Sequence, residues 1–169
     1  MYNLSAFRAR AKRNQPRLKK FLRKFNKKFI PNMLPKQLKL DKEVWQEVDC
    51  LACANCCKTM TPTYTPTDLK RISAHLGISK KELFDNYLMI DTDNGDVVNQ
   101  KTPCQWLNLK DNKCDIYEVR PLDCSGFPHH TKKQFDLYNH VYEQNLDKCP
   151  ATYKLIEKME KWVEEAFVW

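Results

Sequence analysis

Eight cysteines dominate the chemistry open to this 169-residue chain. Four form one run, Cys50, Cys53, Cys56 and Cys57, spaced C-x2-C-x2-C-C; Cys104, Cys114, Cys124 and Cys149 follow. Two intervening residues let a loop turn so that successive thiolates face one ion or cluster. Zinc sites pair one C-x2-C with a distant second pair, whereas repeated C-x2-C steps are closer to the ferredoxin run. The spacing therefore predicts thiolate metal ligands, with an iron–sulfur cluster ahead of Zn2+, and all eight cysteines are candidates. Cys56 and Cys57 are adjacent, and neighbouring side chains in an extended loop point apart. One of them is expected to ligate while the other packs or serves a second site. Eight thiols suit two four-ligand centres, or one centre with structural cysteines beside it.

Other residues carry weaker signals. Arg120-Pro121 fixes an extended approach to Cys124, and Arg120 is expected either to offset the charge of a thiolate cluster or to pair with a surface carboxylate. His129 and His130 are candidates to complete a site as imidazole ligands, as histidine replaces cysteine in Rieske centres, a role that abundant cysteines make unnecessary. His75 and His140 read as ordinary surface or interfacial histidines. Asp91, Asp93 and Asp96 lack the terminal Glu and regular spacing of a hard-cation loop and read as a solvated turn. Trp45, Trp106, Trp162 and Trp169 read as core or edge residues rather than stacking platforms. No catalytic triad, interpretable carboxylate pair or phosphate loop is visible, so the sequence assigns no enzymatic reaction.

Cys50-Leu51-Ala52-Cys53-Ala54-Asn55-Cys56-Cys57-Lys58, Pro103-Cys104, Cys114-Asp115-Ile116-Tyr117-Glu118-Val119-Arg120-Pro121, Cys124 and Phe127-Pro128-His129 together resemble the YkgJ-type cysteine-cluster proteins, a zinc- or iron-chelating family. The resemblance runs from about Asp49 to Cys149-Pro150. It implies chelation by Cys50, Cys53, Cys56, Cys57, Cys104, Cys114 and Cys124. Flagellin lysine methylases carry a related cysteine motif with an iron–sulfur cluster and S-adenosylmethionine, which connects the motif to methyl transfer. Here Ser125 follows Cys124, where the family often has Arg.

The elements that must hold these thiols are short. Between Ser5 and Ile30, Leu18, Phe21, Leu22, Phe25 and Phe29 recur at three and four residues among lysines and arginines, which predicts an amphipathic basic helix after Pro16, broken by Pro31 and Pro35. A second helix is expected over 39–49, with Leu40, Val44, Trp45 and Val48 on one face, leading into Cys50. Thr65-Pro66-Thr67-Asp68 starts a helix that ends at Gly77, and Ser79-Lys80-Lys81-Glu82 is a capping box for the next. Asn94-Gly95 predicts a β-hairpin between Met89-Ile90 and Val97-Val98. A second hairpin is expected to bring 104–107 back against 114–117, folding Cys104 toward Cys114. Residues 151–168 place Leu155, Ile156, Met159, Trp162, Val163 and Ala166 on one helical stripe, expected to cover the small sheet. The fold class is α+β: mainly short helices with a small antiparallel hairpin region around a cysteine-ligated metal centre.

Charge divides the chain. Residues 1–40 hold 13 Lys and Arg and no acid, leaving 16 against 21 acids in the rest. This predicts a basic N-terminal arm over 1–38 and a cysteine-cluster domain over 39–169, the arm offering contact to nucleic acid or another polyanion. Three glycines, Gly77, Gly95 and Gly126, are too few for a glycine-loop nucleotide site. No run of about 18 apolar residues predicts a transmembrane segment, and the first thirty residues are too basic for a secretory signal. The expected compartment is the cytoplasm, where thiols stay reduced and serve metals rather than disulfides.

Overall fold

The computed structural model describes residues 3–25 and 30–167; Phe29, Val168 and Trp169 lie outside them, as does the side chain of Phe25. In chain order the elements are α1 (Leu4–Phe25), α2 (Met33–Glu47), α3 (Cys50–Cys53), α4 (Asn55–Thr59), α5 (Pro66–Leu76), α6 (Lys80–Tyr87), β1 (Leu88–Ile90), β2 (Val97–Asn99), α7 (Leu122–Gly126), α8 (Asn139–Asn145) and α9 (Pro150–Ala166). Single 3-10 turns span Tyr117–Val119 and Phe135–Tyr138. The fold is mostly helical, with one small antiparallel hairpin. Among the described residues no helix is long and apolar enough to cross a membrane. The chain forms two compact units: Met1–Cys53 with Pro128–Trp169, and Ala54–Phe127.

In the first unit, α1 begins at Leu4, well before Pro16, rather than after that proline as the spacing of its leucines and phenylalanines predicts. Asn3 caps it, its Oδ1 accepting the Ala6 amide at 2.9 Å. The helix runs through Pro16, which is exposed. A mid-helix proline costs about 3 kcal/mol, but Phe7, Ala11, Leu18, Phe21 and Leu22 are all buried on one face. Each large apolar side chain so buried contributes ~1.5–3 kcal/mol, which outweighs the proline. That face packs on α8 and α9. Several of its basic residues are ion-paired: Arg10 with Glu157 at 2.8 Å, Arg23 and Lys19 with Glu143 at 2.9 and 3.6 Å, and Arg17 with Glu160.

Pro35 does not break a helix either. It sits in the first turn of α2, where an amide has no intrahelical acceptor to lose. α2 thus spans Met33–Glu47 rather than 39–49, burying Met33, Gln37, Leu40, Asp41 and Val44. Trp45, expected on that face, is 37 % exposed. α9 buries Leu155, Ile156, Met159 and Val163 of its predicted stripe, while Trp162 is half-buried and Ala166 exposed. It packs on α1, α2 and α8 in this unit, whereas the hairpin it was expected to cover belongs to the other. Periodicity reports that a stripe is buried, not what buries it.

In the second unit the two capping boxes form as read. Thr65 and Asp68 cap α5, Ser79 and Glu82 cap α6, and Gly77 takes the left-handed conformation, φ 67°, that ends α5. β1 and β2 pair Leu88 with Asn99, Met89 with Val98 and Ile90 with Val97, around Gly95 at φ 79°. The second hairpin shrinks to one antiparallel bridge between Leu107 and Cys114. It closes through Asn112 at φ 61° and the Asn108 N–H to Lys113 carbonyl bond of 2.8 Å. Tyr64, Ile72, Leu83, Leu88, Trp106 and Ile116 form the core of this unit, with Cys104 and Cys114 packed against it.

Candidate metal centre

Five cysteines fall in the second unit and three in the first. All eight are thiols, none in a disulfide. The C-x2-C-x2-C-C run is therefore shared: Cys50 and Cys53 belong to the unit that holds Cys149, while Cys56 and Cys57 belong with Cys104, Cys114 and Cys124.

Cys56 and Cys57 lie on α4, not on an extended loop. A helix turns adjacent side chains by about 100° rather than 180°, and the two sulfurs are 3.9 Å apart. The Cys56 thiol lowers the Cys57 pKa to about 7, with the amide of Cys57 and the charge of Lys58 acting the same way against burial. The Cys57 carbonyl accepts the Cys104 amide at 2.8 Å, which joins α4 to the Pro103-Cys104 turn. Cys114 lies on the bridge with Leu107.

Cys124 is placed by Asp68. This fully buried carboxylate accepts the Thr65 amide at 2.9 Å and hydroxyl at 2.6 Å. Its other oxygen accepts the Leu122 amide at 3.1 Å and the Arg71 guanidinium at 2.7 Å. Arg71 also donates to the carbonyls of Val119 and Arg120 at 3.4 and 2.8 Å. The segment that enters α7 is thereby clamped to α5. Burial alone would raise the Asp68 pKa, but its donors more than offset that and hold it below the ordinary carboxylate value.

Four thiols from four segments, Cys57, Cys104, Cys114 and Cys124, sense one another electrostatically. Burial raises the pKa of Cys104, and the charge of Cys57 adds to it. Cys114 is pushed up to about 11 by burial and then by Cys104 and Cys57. Cys124 goes higher still, through burial and then Cys57, Cys104, Asp123 and Cys114. Burial likewise raises the Tyr64 phenol, with the charges of Cys104, Cys124 and Cys114 acting together on it. Half-buried thiols that disfavour one another's ionised form are a donor set that a soft cation would relieve. The residues therefore fit zinc or iron by donor type. Among the described residues, no three His, Cys, Asp or Glu side chains stand at metal-holding spacing.

In the first unit, Asp49 caps α3 by accepting the Leu51 and Ala52 amides at 2.9 and 3.2 Å, with Cys50 exposed beside it. Cys149 is the buried residue before α9. Burial raises its pKa, the Thr152 and Ala151 amides and the Thr152 hydroxyl oppose this, and the charge of Cys53 adds to the rise.

The remaining sequence candidates have other occupations. Arg120 is engaged locally: its guanidinium stacks 3.9 Å over the Tyr117 ring and donates to the Tyr117 carbonyl at 2.6 Å, and among the described residues it forms no ion pair. Both ring nitrogens of His130 are engaged, Nδ1 with Asp41 at 2.6 Å and Nε2 with Thr152 at 2.9 Å. His75 and His140 are exposed. Asp91 accepts the Asp93 amide at 2.9 Å, as a solvated turn does. Sequence reading saw Asp68 as a cap but not as the clamp on the Cys124 segment, because the Leu122 amide it accepts lies 54 residues downstream. It missed Tyr64, Asn99 and Gln105 altogether, since nothing local distinguishes a buried polar side chain from an exposed one.

The spacing that collects these thiols is shared with known sequences. Residues 49–150 match the CxxCxxCC family, described as "Putative zinc- or iron-chelating domain". The chain belongs to the CxxCxxCC family. It is also 35 % identical over 81 residues to uncharacterized protein MJ0661 of Methanocaldococcus jannaschii, a match covering 47 % of this chain and 43 % of that protein. No solved structure matches the chain. The CxxCxxCC match takes in all eight cysteines.

Proposed function

We propose that this CxxCxxCC protein is a metal-holding protein of the cytoplasm whose Cys57, Cys104, Cys114 and Cys124 ligate one iron–sulfur cluster, with Zn2+ as the competing occupant. The observation that supports this reading is the delivery of four thiols to one unit by separate segments, with the Cys57 carbonyl accepting the Cys104 amide at 2.8 Å and Cys114 on the bridge with Leu107. Four half-buried thiolates repel; a multivalent cation turns that repulsion into attraction. Cys57, with the lowest pKa, is the first to present a thiolate. Asp68 and Arg71 hold the Cys124 segment, and the Leu107–Cys114 bridge holds Cys114. Bound there, a cluster supplies one-electron transfer. Cys56 assists Cys57, while Cys50, Cys53 and Cys149 contribute ligands or structural thiols in the other unit.

Substitution separates these roles. In anaerobically purified protein, Cys114→Ser should lose most of its bound iron or zinc, whereas the exposed Cys50 should tolerate serine with a smaller loss. Full metal retention by Cys114→Ser contradicts the assignment.

A second reading has its own observation. Lys12, Arg13 and Lys20 are exposed on α1 beside the ion-paired basic residues, which leaves cationic surface for nucleic acid or another polyanion. Colourless, zinc-loaded protein that binds a polyanion in a salt-sensitive manner is the signature of that zinc-stabilised binding module.

A further inference from the structure

Cys56 and Cys57 are consecutive on α4, half-buried, and their sulfurs stand 3.9 Å apart. The metal-centre reading makes Cys57 a ligand and leaves Cys56 its neighbour. The short helix that carries the pair is pinned from several sides. The Lys58 amide donates to the Ala54 carbonyl at 3.2 Å, the Met60 amide to the Cys56 carbonyl at 2.8 Å and the Cys104 amide to the Cys57 carbonyl at 2.8 Å. The Thr59 hydroxyl donates to the Asn55 carbonyl at 2.8 Å. The peptide between the two cysteines is thus held in helical geometry, with both thiols partly open to solvent.

Two chemistries join neighbouring thiols. A disulfide closes the sulfurs to about 2.05 Å and normally spans Cα atoms about 4.4–6.8 Å apart, whereas consecutive Cα atoms are about 3.8 Å apart across a trans peptide. Oxidation within this pair therefore has to break the bonds that hold α4. An atom that bridges the sulfurs demands less movement. With two bonds of about 2.3 Å, the length of a soft metal–thiolate bond, meeting at about 90–110°, the sulfurs sit about 3.3–3.8 Å apart. That is close to the spacing α4 already provides. Among the described residues no three His, Cys, Asp or Glu side chains stand at metal-holding spacing. The pair therefore suits a thiophilic centre that needs two thiols and brings its own third substituent. A monosubstituted trivalent arsenical, with one carbon and two exchangeable oxygens on arsenic, has that valence.

We propose that Cys56 and Cys57 form a vicinal dithiol that captures monosubstituted trivalent arsenicals as a cyclic dithioarsenite. The arsenical loses its two hydroxyls, each thiol loses its proton, two As–S bonds form and two waters leave. Arsenic stays trivalent, so the step needs no oxidant or reductant. Phenylarsine oxide takes two thiols in the same way, its oxygen leaving as one water. Capture occupies Cys57 and so withdraws it from metal. Only this consequence rests on the metal-centre reading; the capture itself does not.

Phenylarsine oxide, one equivalent, added to the reduced, metal-free full chain tests this. Mass spectrometry should find one phenylarsenic bridge per chain, and tandem sequencing of the proteolysed adduct should place it across Cys56 and Cys57. Excess 2,3-dimercaptopropanol should release the bridge, whereas glutathione at the same thiol concentration should not, because a monothiol cannot replace a chelate. Cys56→Ser leaves a single arm and should weaken capture about a hundredfold or more. A bridge mapped to any other pair of cysteines, release by glutathione, or wild-type affinity in Cys56→Ser overturns the inference. The map and the release are read on the wild-type chain, so they decide the matter even where the serine variant fails to fold.

Discussion

Asp68 is fully buried and saturated with donors from Thr65, Leu122 and Arg71. Its pKa in the folded chain lies below the unfolded value of about 3.9. A depressed carboxylate contributes stability that is present above the unfolded pKa and is lost as pH falls through the folded one. Asp68→Ala should therefore cost about 2–3 kcal/mol near neutral pH, read by urea denaturation, and the gap to wild type should narrow as pH drops below about 4. An equal gap at pH 7 and at low pH would mean that the charge of Asp68 is not what the clamp uses. Thr65, Pro66 and Asp68 were readable as a cap because capping is local. The reach of Asp68 to Leu122 was not, because that bond depends on how distant segments meet.

At the scale of elements, local chemistry decides what sequence can reveal. α5, α6 and the β1–β2 hairpin follow from capping boxes, Gly77 and Asn94-Gly95, each a constraint acting over a few residues. Gly77→Ala should lower stability by about 1–2 kcal/mol, since φ 67° is strained for any side chain although the space beyond is open. A thermal melt unchanged by this substitution would show that the cap relaxes freely. Proline misled in both directions. Pro16 lies inside a helix whose buried face outweighs it, and Pro35 lies in a first turn that has no bond to lose. Cys56 and Cys57 were read as an extended pair and are helical, which brings their sulfurs together. The Cys104–Cys114 hairpin was expected from two short strand-like runs flanking a turn, and one bridge of it forms.

For the molecule as a whole, family membership was legible because cysteine spacing is a linear property. The division of those cysteines between two units was not, because Cys53 and Ala54 are consecutive and nothing in the sequence marks the boundary. If the centre lies in the second unit, metal should stabilise that unit first, by mass action on its folded form. Hydrogen exchange on added zinc should slow at the amides of Cys104, Leu107 and Ser125 more than along α2 and α9; uniform slowing would argue against a centre confined to Ala54–Phe127. The central claim is that thiolates hold the metal. X-ray absorption at the iron and zinc edges of anaerobically isolated protein tests it most directly. The account predicts a first shell of sulfur at about 2.3 Å, reduced in Cys114→Ser. A first shell of oxygen and nitrogen alone would contradict it.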